Sequence, residues 1–139
     1  VIAVQKGEGM VHGMISGVPH KPTDKKEAKR IKDSKGLVSD GRVLGVLGVS
    51  RSIGDHKFKK VGVVPTPNIM KIDLSAAYFV MLACDGLWDV YPAATVTQIV
   101  HDKLQAGDDV KSVVQFVTKE AITGRNSHDN VSVVLASFT

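Results

Sequence analysis

The sequence predicts an α+β fold with a mostly antiparallel sheet, and three features carry that prediction. Residues 78–84, YFVMLAC, form an apolar run of the length of a buried central strand. Residues 131–138 form a second strand near the end of the chain. Between the two lie a pair of segments with helical spacing. Strands that bracket a helix pair are typical of α+β layering.

The first elements along the chain are a hairpin and a short helix. Residues 1–16 predict two strands joined by a turn at the sequence KGEG. Two prolines then break the strand pattern, and Thr23 or Asp24 can cap a helix that ends at Gly36. Glu27 follows Asp24 at the spacing of a capping box. We therefore expect Glu27 to lie at the start of the helix.

The middle of the chain predicts two weaker strands. Residues 43–49, VLGVLGV, are apolar but carry two glycines, which in a strand indicate a bulge or a close approach of another backbone. Residues 51–60 are polar and basic and predict a loop. Residues 69–74 predict a short edge strand ahead of the central one.

The helix pair follows the central strand. After Pro92, apolar residues recur at helical spacing up to Leu104, and Gly107 ends the run. A second apolar stripe covers residues 110–121 and ends before Gly124. Residues 125–130 then predict a polar loop that leads into the closing strand.

Composition is that of a soluble globular chain. At 139 residues the chain is one domain or part of one, with 43% apolar and 23% charged residues. No apolar stretch approaches the roughly 18 residues that span a bilayer, and the N-terminus lacks a secretory pattern. We therefore expect an intracellular protein, cytoplasmic or nuclear, with no membrane partner.

Cys84 is the single cysteine, so an internal disulfide is excluded. Its place in an apolar run predicts a small buried side chain. The residues after it, DGLWDV, do not form a phosphate-cradling loop that ends in arginine, which excludes a cysteine-dependent phosphatase.

The net charge of +4 raises the question of an acidic partner. Residues 21–35 carry seven Lys or Arg side chains against three acids, without interleaved aromatic residues that could stack on bases. This pattern favours a solvated helix face and predicts no nucleic-acid partner, while a basic docking surface stays open as the alternative.

Two acids stand out by position. Asp85 ends the central strand, and Asp129 immediately precedes the closing one. Carboxylates in neighbouring loops at strand ends can converge on a hard divalent cation, and two such ions can clamp a phosphoryl group. Taken singly, each acid is also typical of a turn or a helix cap.

Four segments, read in order, resemble the magnesium- or manganese-dependent serine/threonine protein phosphatases of the 2C class. They are HKPTDKKEAKRI, GRVLGVLGVSRSIGD, FVMLACDGLWDV and SHDNVSVVL, and the resemblance covers essentially the whole chain. It implies an αββα sandwich of two antiparallel sheets with flanking helices. Of this sandwich, residues 1–139 would supply only the later strands and helices, as the C-terminal portion of the catalytic domain.

The resemblance also implies an activity and its ligands. Such phosphatases hydrolyse phosphoserine and phosphothreonine in proteins through water activated at a binuclear Mg²⁺ or Mn²⁺ centre. Asp85 and Asp129 match ligands of one ion of that centre, and Asp89 matches an acid that helps to hold a third, weaker ion. No residue of this chain matches a catalytic side chain. For Arg51 and Asp55, in the SRSIGD sequence, we expect an internal ion-pair or hydrogen-bond role.

The sequence departs from the family pattern in two places. Pro19 stands where the family usually has an aspartate at the third-metal site, so a third ion should bind weakly or not at all. The family's phosphate-binding arginine, Glu-Asp pair and Asp-Gly-His motif lie upstream of the matched region. We therefore expect a fragment that associates with its missing N-terminal half or with another copy. The alternative is a non-catalytic, phosphatase-like binding module.

Overall fold

The structure is a computed structural model that describes residues 2–5, 12–15, 19–69, 71, 74–75 and 77–138, with side chains from residue 19 onwards. The chain forms two compact units, residues 17–69 and residues 1–16 together with 70–139. In chain order the elements are β1 (Ile2–Gln5), β2 (His12–Ile15), α1 (Lys25–Asp33), β3 (Val38–Ser39), β4 (Arg42–Val43), α2 (His56–Lys59), β5 (Ala77–Ala83), α3 (Asp85–Trp88), α4 (Ala93–Gln105), α5 (Val110–Lys119), a π-helical turn (Glu120–Gly124) and β6 (Val133–Ser137).

The larger unit is built on an antiparallel sheet with the strand order β2-β1-β5-β6. The strand predicted to be central, β5, pairs with β1 on one side and β6 on the other, so that prediction is confirmed. The predicted hairpin is present as β1 and β2, while its turn lies outside the described residues.

One face of β5 packs on the helix pair. Alternate residues of the strand, Phe79 and Met81, are fully buried, because successive side chains of a strand point to opposite faces. The core around them is Phe79, Met81, Leu87, Tyr91, Val96, Val100, Val113, Val117 and Ala121. On the opposite face Leu82 pairs in register with Val134, and these side chains are 44% and 63% exposed.

The helix pair begins and ends where the sequence predicts. Pro92 precedes α4, and Gly107 follows it with a φ of +92°, a left-handed conformation that glycine adopts without strain. The carboxylate of Asp109 caps α5 by accepting a hydrogen bond from the backbone N–H of Ser112, at 3.0 Å. None of the described helices is long and apolar enough to cross a membrane.

In residues 17–69, α1 packs its buried Ile31 against Val43 and Val63. Asp24 is the N-cap of α1, because its side chain accepts hydrogen bonds from the N–H groups of Lys26 and Glu27. The predicted capping box is wrong. Glu27 does not reach back to the cap and is instead 3% exposed.

Glu27 is the centre of a buried ion cluster. It accepts hydrogen bonds from Arg30 at 2.7 Å and 2.9 Å, from Arg51 at 2.6–3.2 Å and from the hydroxyl of Ser50 at 2.5 Å. The internal ion-pair role expected of Arg51 is therefore confirmed. Asp55 forms no ion pair with any residue that the structure describes: it precedes α2 with a φ of 50° and makes no side-chain cap hydrogen bond.

The predicted strand over residues 43–49 is wrong apart from its first residue. Strand β4 ends at Val43, and the chain turns at residues 44–46. Leu44 and Gly45 have φ values of 52° and 70°, which are incompatible with an extended strand. Residues 51–60, predicted as a loop, contain the short helix α2. Of the predicted edge strand over residues 69–74, residues 70, 72 and 73 lie outside the described residues, and residues 69, 71 and 74 do not form a strand.

The ion cluster predicts acid sensitivity in residues 17–69. Hydrogen bonds from Arg51 and Arg30 hold the pKa of Glu27 far below its usual value, although burial acts in the opposite direction. Because the folded-state pKa is the lower one, the stabilisation is fully present above the unfolded pKa of about 4.3 and is lost as the pH falls below it. We expect the urea midpoint of residues 17–69, followed by NMR signals of α1, to fall between about pH 6 and pH 3.

The variant Glu27→Gln, which lacks the titrating group, should show a flatter pH profile than the parent chain. Asp33→Asn removes a carboxylate from the exposed Lys29–Asp33 pair and should leave the profile nearly unchanged. Equal slopes in the parent chain and Glu27→Gln would contradict the assignment of this acid sensitivity to Glu27.

Candidate metal site

The first part of the site is the corner at the end of β5. The strand ends at Ala83, Cys84 is extended, and Asp85 begins the single turn of α3. Gly86 and Leu87 are buried, whereas Asp85 is exposed. Because one face of β5 and the two α3 residues after Asp85 are buried, the backbone of Asp85 is fixed. Its carboxylate remains in solvent.

Asp129 lies in the loop before β6 and is exposed. This loop is hydrogen-bonded to the first corner. The hydroxyl of Ser127 donates to the carbonyl of Gly86 at 2.7 Å, and the thiol of Cys84 donates to the carbonyl of Asn130 at 3.1 Å. The structure thus brings together the two neighbourhoods that sequence analysis selected from 44 positions apart.

Cys84 bonds to this loop in two further ways. Its Sγ accepts a hydrogen bond from the N–H of Ser132 at 3.2 Å, and its own N–H donates to the carbonyl of Ser132, also at 3.2 Å. Cys84 is half-buried rather than fully buried as predicted. Its thiol links the two loops, because it donates to one backbone group and accepts from another.

Gly86 allows the closest approach between the loops. A Cβ atom at this position would lie 2.2 Å from the carbonyl oxygen of Asn130 and 3.5 Å from the Cβ of Asp129. Any side chain larger than hydrogen would push the loops apart. Gly86 was not predicted as a site residue from the sequence. Its one sequence signal is a glycine directly after a strand-ending aspartate.

The second acid of the corner, Asp89, follows one helical turn after Asp85. It is exposed, and its N–H donates to the carbonyl of Asp85 at 2.8 Å. The intervening Trp88 donates its indole N–H to the carbonyl of Ala83 at 2.8 Å and packs on the core. Trp88 therefore fastens α3 to the end of β5, so that both acids lie on a fixed turn.

The donor chemistry of Asp85 and Asp129 fits a hard divalent cation. Exposed carboxylate oxygens are the ligands that Mg²⁺ and Mn²⁺ prefer, and Mg²⁺ sites usually retain several waters. Within the part of the chain that the structure describes, no three His, Cys, Asp or Glu side chains form a group that could hold an ion. The described residues therefore fit part of a coordination sphere.

Fold and site together define the class: an α+β protein in which two hydrogen-bonded loops each carry an exposed aspartate. The chain belongs to the protein phosphatase 2C family, because the sequence model of that family matches residues 10–131. The resemblance drawn from the sequence motifs and the α+β fold are thereby confirmed.

Two curated relatives illustrate the match. The chain is 32% identical over 138 residues to "Probable protein phosphatase 2C 67" from Oryza sativa subsp. japonica, covering 98% of this chain and 38% of the relative. It is 38% identical over 142 residues to "Integrin-linked kinase-associated serine/threonine phosphatase 2C" from Mus musculus, covering 92% and 36%. The chain thus spans little more than a third of the length of these relatives.

A solved structure gives the same result at the level of the fold. The crystal structure of a phosphatase from Toxoplasma gondii superimposes with a TM-score of 0.79 at 26% identity, covering 99% of this chain and 45% of that one. Nearly every element of the chain therefore has a counterpart in that phosphatase.

Proposed function

We propose that this chain is part of a metal-dependent phosphatase that removes phosphate from phosphoserine and phosphothreonine in proteins. One observation carries the proposal: the loops that hold Asp85 and Asp129 pack closely at Gly86, whose carbonyl accepts a hydrogen bond from Ser127. Two exposed carboxylates on a fixed backbone would bind a cation without a large loss of loop entropy, which supports the proposal. Membership of the protein phosphatase 2C family supports the reaction.

In this proposal Asp85 and Asp129 hold one ion, and Asp89 is available to a further, weaker one. Bound Mg²⁺ or Mn²⁺ would polarise the phosphoryl oxygens and activate the attacking water. The chain's own contribution is to position the carboxylates: Trp88 fixes the turn that carries Asp85, and the Cys84 hydrogen bonds fix the loop that carries Asp129.

Two carboxylates leave most of a six-ligand sphere to water or to other residues. We infer that acids which the family carries ahead of the matched region complete the centre. A surface for that association is available, because Leu82 and Val134 expose apolar area on the face of the sheet opposite the helices. A second sheet packed there would remove this area from water. The occupant would be the N-terminal half of a phosphatase domain or a second copy of this chain.

Metal binding tests the assignment directly. Titration of residues 1–139 with Mn²⁺, followed by electron paramagnetic resonance, should show binding that Asp85→Asn and Asp129→Asn each weaken at least about tenfold, since loss even of groups that merely support a ligand has such effects. Asp108→Asn is the matched control. This exposed acid pairs with Lys103 away from the two loops, so Mn²⁺ binding should not change.

Turnover is the second readout. Hydrolysis of a phosphothreonine peptide should appear when the chain is mixed with the N-terminal half of a relative's catalytic domain. It should require Mn²⁺ and disappear with chelator. If neither aspartate variant changes Mn²⁺ binding and the mixture has no activity, the chain is a phosphatase-like binding module instead.

A further inference from the structure

Charge is distributed unevenly between the two units. Residues 17–69 contain twelve Lys or Arg against five Asp or Glu, an excess of seven positive charges. The remainder of the chain contains six against nine, an excess of three negative charges. The modest net charge of the whole chain therefore conceals a strongly basic unit.

Three of the five acids of this unit already have partners within it. Glu27 is buried between two arginines, Asp33 pairs with Lys29, and the carboxylate of Asp24 caps α1. Five exposed lysines in or beside the helix make no ion pair with any described residue: Lys21, Lys25, Lys26, Lys32 and Lys35. Their charges are available to a partner.

Helical geometry places two of these lysines on one side, together with the paired Lys29. Residues of an α-helix advance by about 100° each. Because Glu27 and Ile31 face the interior of the unit, the opposite side of α1 carries Lys25, Lys29 and Lys32. This solvent-facing row is the lysine face of α1.

A cavity of about 720 Å³ lies at the start of the same helix. Its lining contains three cationic side chains, Lys25, Lys26 and Arg51, together with His20 and two acids, Asp24 and Glu27, of which Glu27 is already paired with arginines. The Nε2 atom of His20 is buried and has no hydrogen-bond partner among the described residues. A buried polar atom without a partner is costly.

We propose that the lysine face of α1 and this cavity bind an acidic stretch of a protein, which under the proposed function is the phosphoprotein substrate. One carboxylate enters the cavity between Lys25 and Lys26, and further acids lie along the lysine face. A polypeptide suits the surface better than a nucleic acid does. The single aromatic residue of residues 19–69, Phe58, is half-buried against the core, so no aromatic platform for bases is present there.

The test uses residues 1–139 and fluorescence anisotropy with a labelled glutamate-rich peptide that contains no phosphate. Its glutamine counterpart and a single-stranded oligonucleotide of equal charge serve as competing probes. The variant Lys25→Glu/Lys26→Glu should bind the glutamate peptide about tenfold more weakly. Lys57→Glu/Lys60→Glu makes the same change of net charge at exposed positions outside the cavity, and should cost less than about threefold.

Three outcomes would overturn the proposal. Equal losses for the two variants would show diffuse attraction to net charge, equal binding of the glutamine peptide would exclude recognition of carboxylates, and tighter binding of the oligonucleotide would identify a nucleic-acid surface. Because the peptide carries no phosphate, its binding does not depend on phosphatase activity. If the chain binds the peptide selectively but shows no phosphatase activity, the proposed peptide-binding surface is supported and the proposed function is not.

Discussion

Replacing Glu27 with glutamine is expected to destabilise residues 17–69 by about 3 kcal/mol. The substitution removes the only carboxylate that the structure places between Arg30 and Arg51, whose side chains are 26% and 20% exposed. Each guanidinium would then remain partly buried without its counter-charge, and that cost exceeds the value of the original pair. Partial exposure of both arginines places the figure at the low end of the range for buried pairs.

Hydrogen exchange of the α1 amides measures this effect where it should occur. Trp88 is the only tryptophan of the chain and lies in the other unit, so its fluorescence reports separately on residues 70–139. Asp33→Asn, which removes the exposed Lys29–Asp33 pair, should cost less than about 0.5 kcal/mol. Similar protection of α1 in the two variants would contradict a central role for the buried cluster.

Gly86→Ala is expected to cost about 3 kcal/mol and to weaken Mn²⁺ binding with it. The new Cβ would lie 2.2 Å from one backbone atom of Asn130 and 3.0 Å from another, and backbone atoms cannot rotate away as a side chain can. The loops must separate, and the hydrogen bond from Ser127 to Gly86 would be lost with the contact. Asp85 and Asp129 would then no longer be held together.

Urea unfolding followed by Trp88 fluorescence should detect the change, because Trp88 lies on the same turn as Gly86. Gly48→Ala is the matched control: its Cβ would meet only the guanidinium of Arg42 at an ordinary 3.6 Å. That variant should be neutral or slightly more stable, since alanine restricts the unfolded chain more than glycine does. An unchanged urea midpoint and unchanged Mn²⁺ affinity in Gly86→Ala would refute the claim that close packing at Gly86 holds the two acidic loops together.

The candidate site was predictable from sequence to the extent that it depends on local pattern. An apolar run that ends in Asp85, and a closing strand that begins just after Asp129, mark two loops that a sheet can bring together. The residues that lock the loops were not predictable. Ser127, Cys84 and Gly86 have ordinary local roles, and their hydrogen bonds and contacts join positions more than forty residues apart.

Glu27 is a second case in which the local sequence predicts one role and the tertiary structure gives another. Its spacing from Asp24 fits a capping box, and local sequence contains no reason to reject that role. The tertiary structure instead places Arg51, 24 positions along the chain, beside its carboxylate. A bidentate guanidinium is a stronger partner than a backbone N–H at a helix start, which water can also satisfy.

The sequence by itself determined the α+β class, the central strand, the helix pair with its stop signals, and the family through four ordered motifs. These depend on periodicity, turn chemistry and motif order, which a chain carries locally. The tertiary structure alone decided that Glu27 is buried and that a glycine joins the two acidic loops. Both are set by atoms distant along the chain, because steric contact and charge act through space rather than along the sequence.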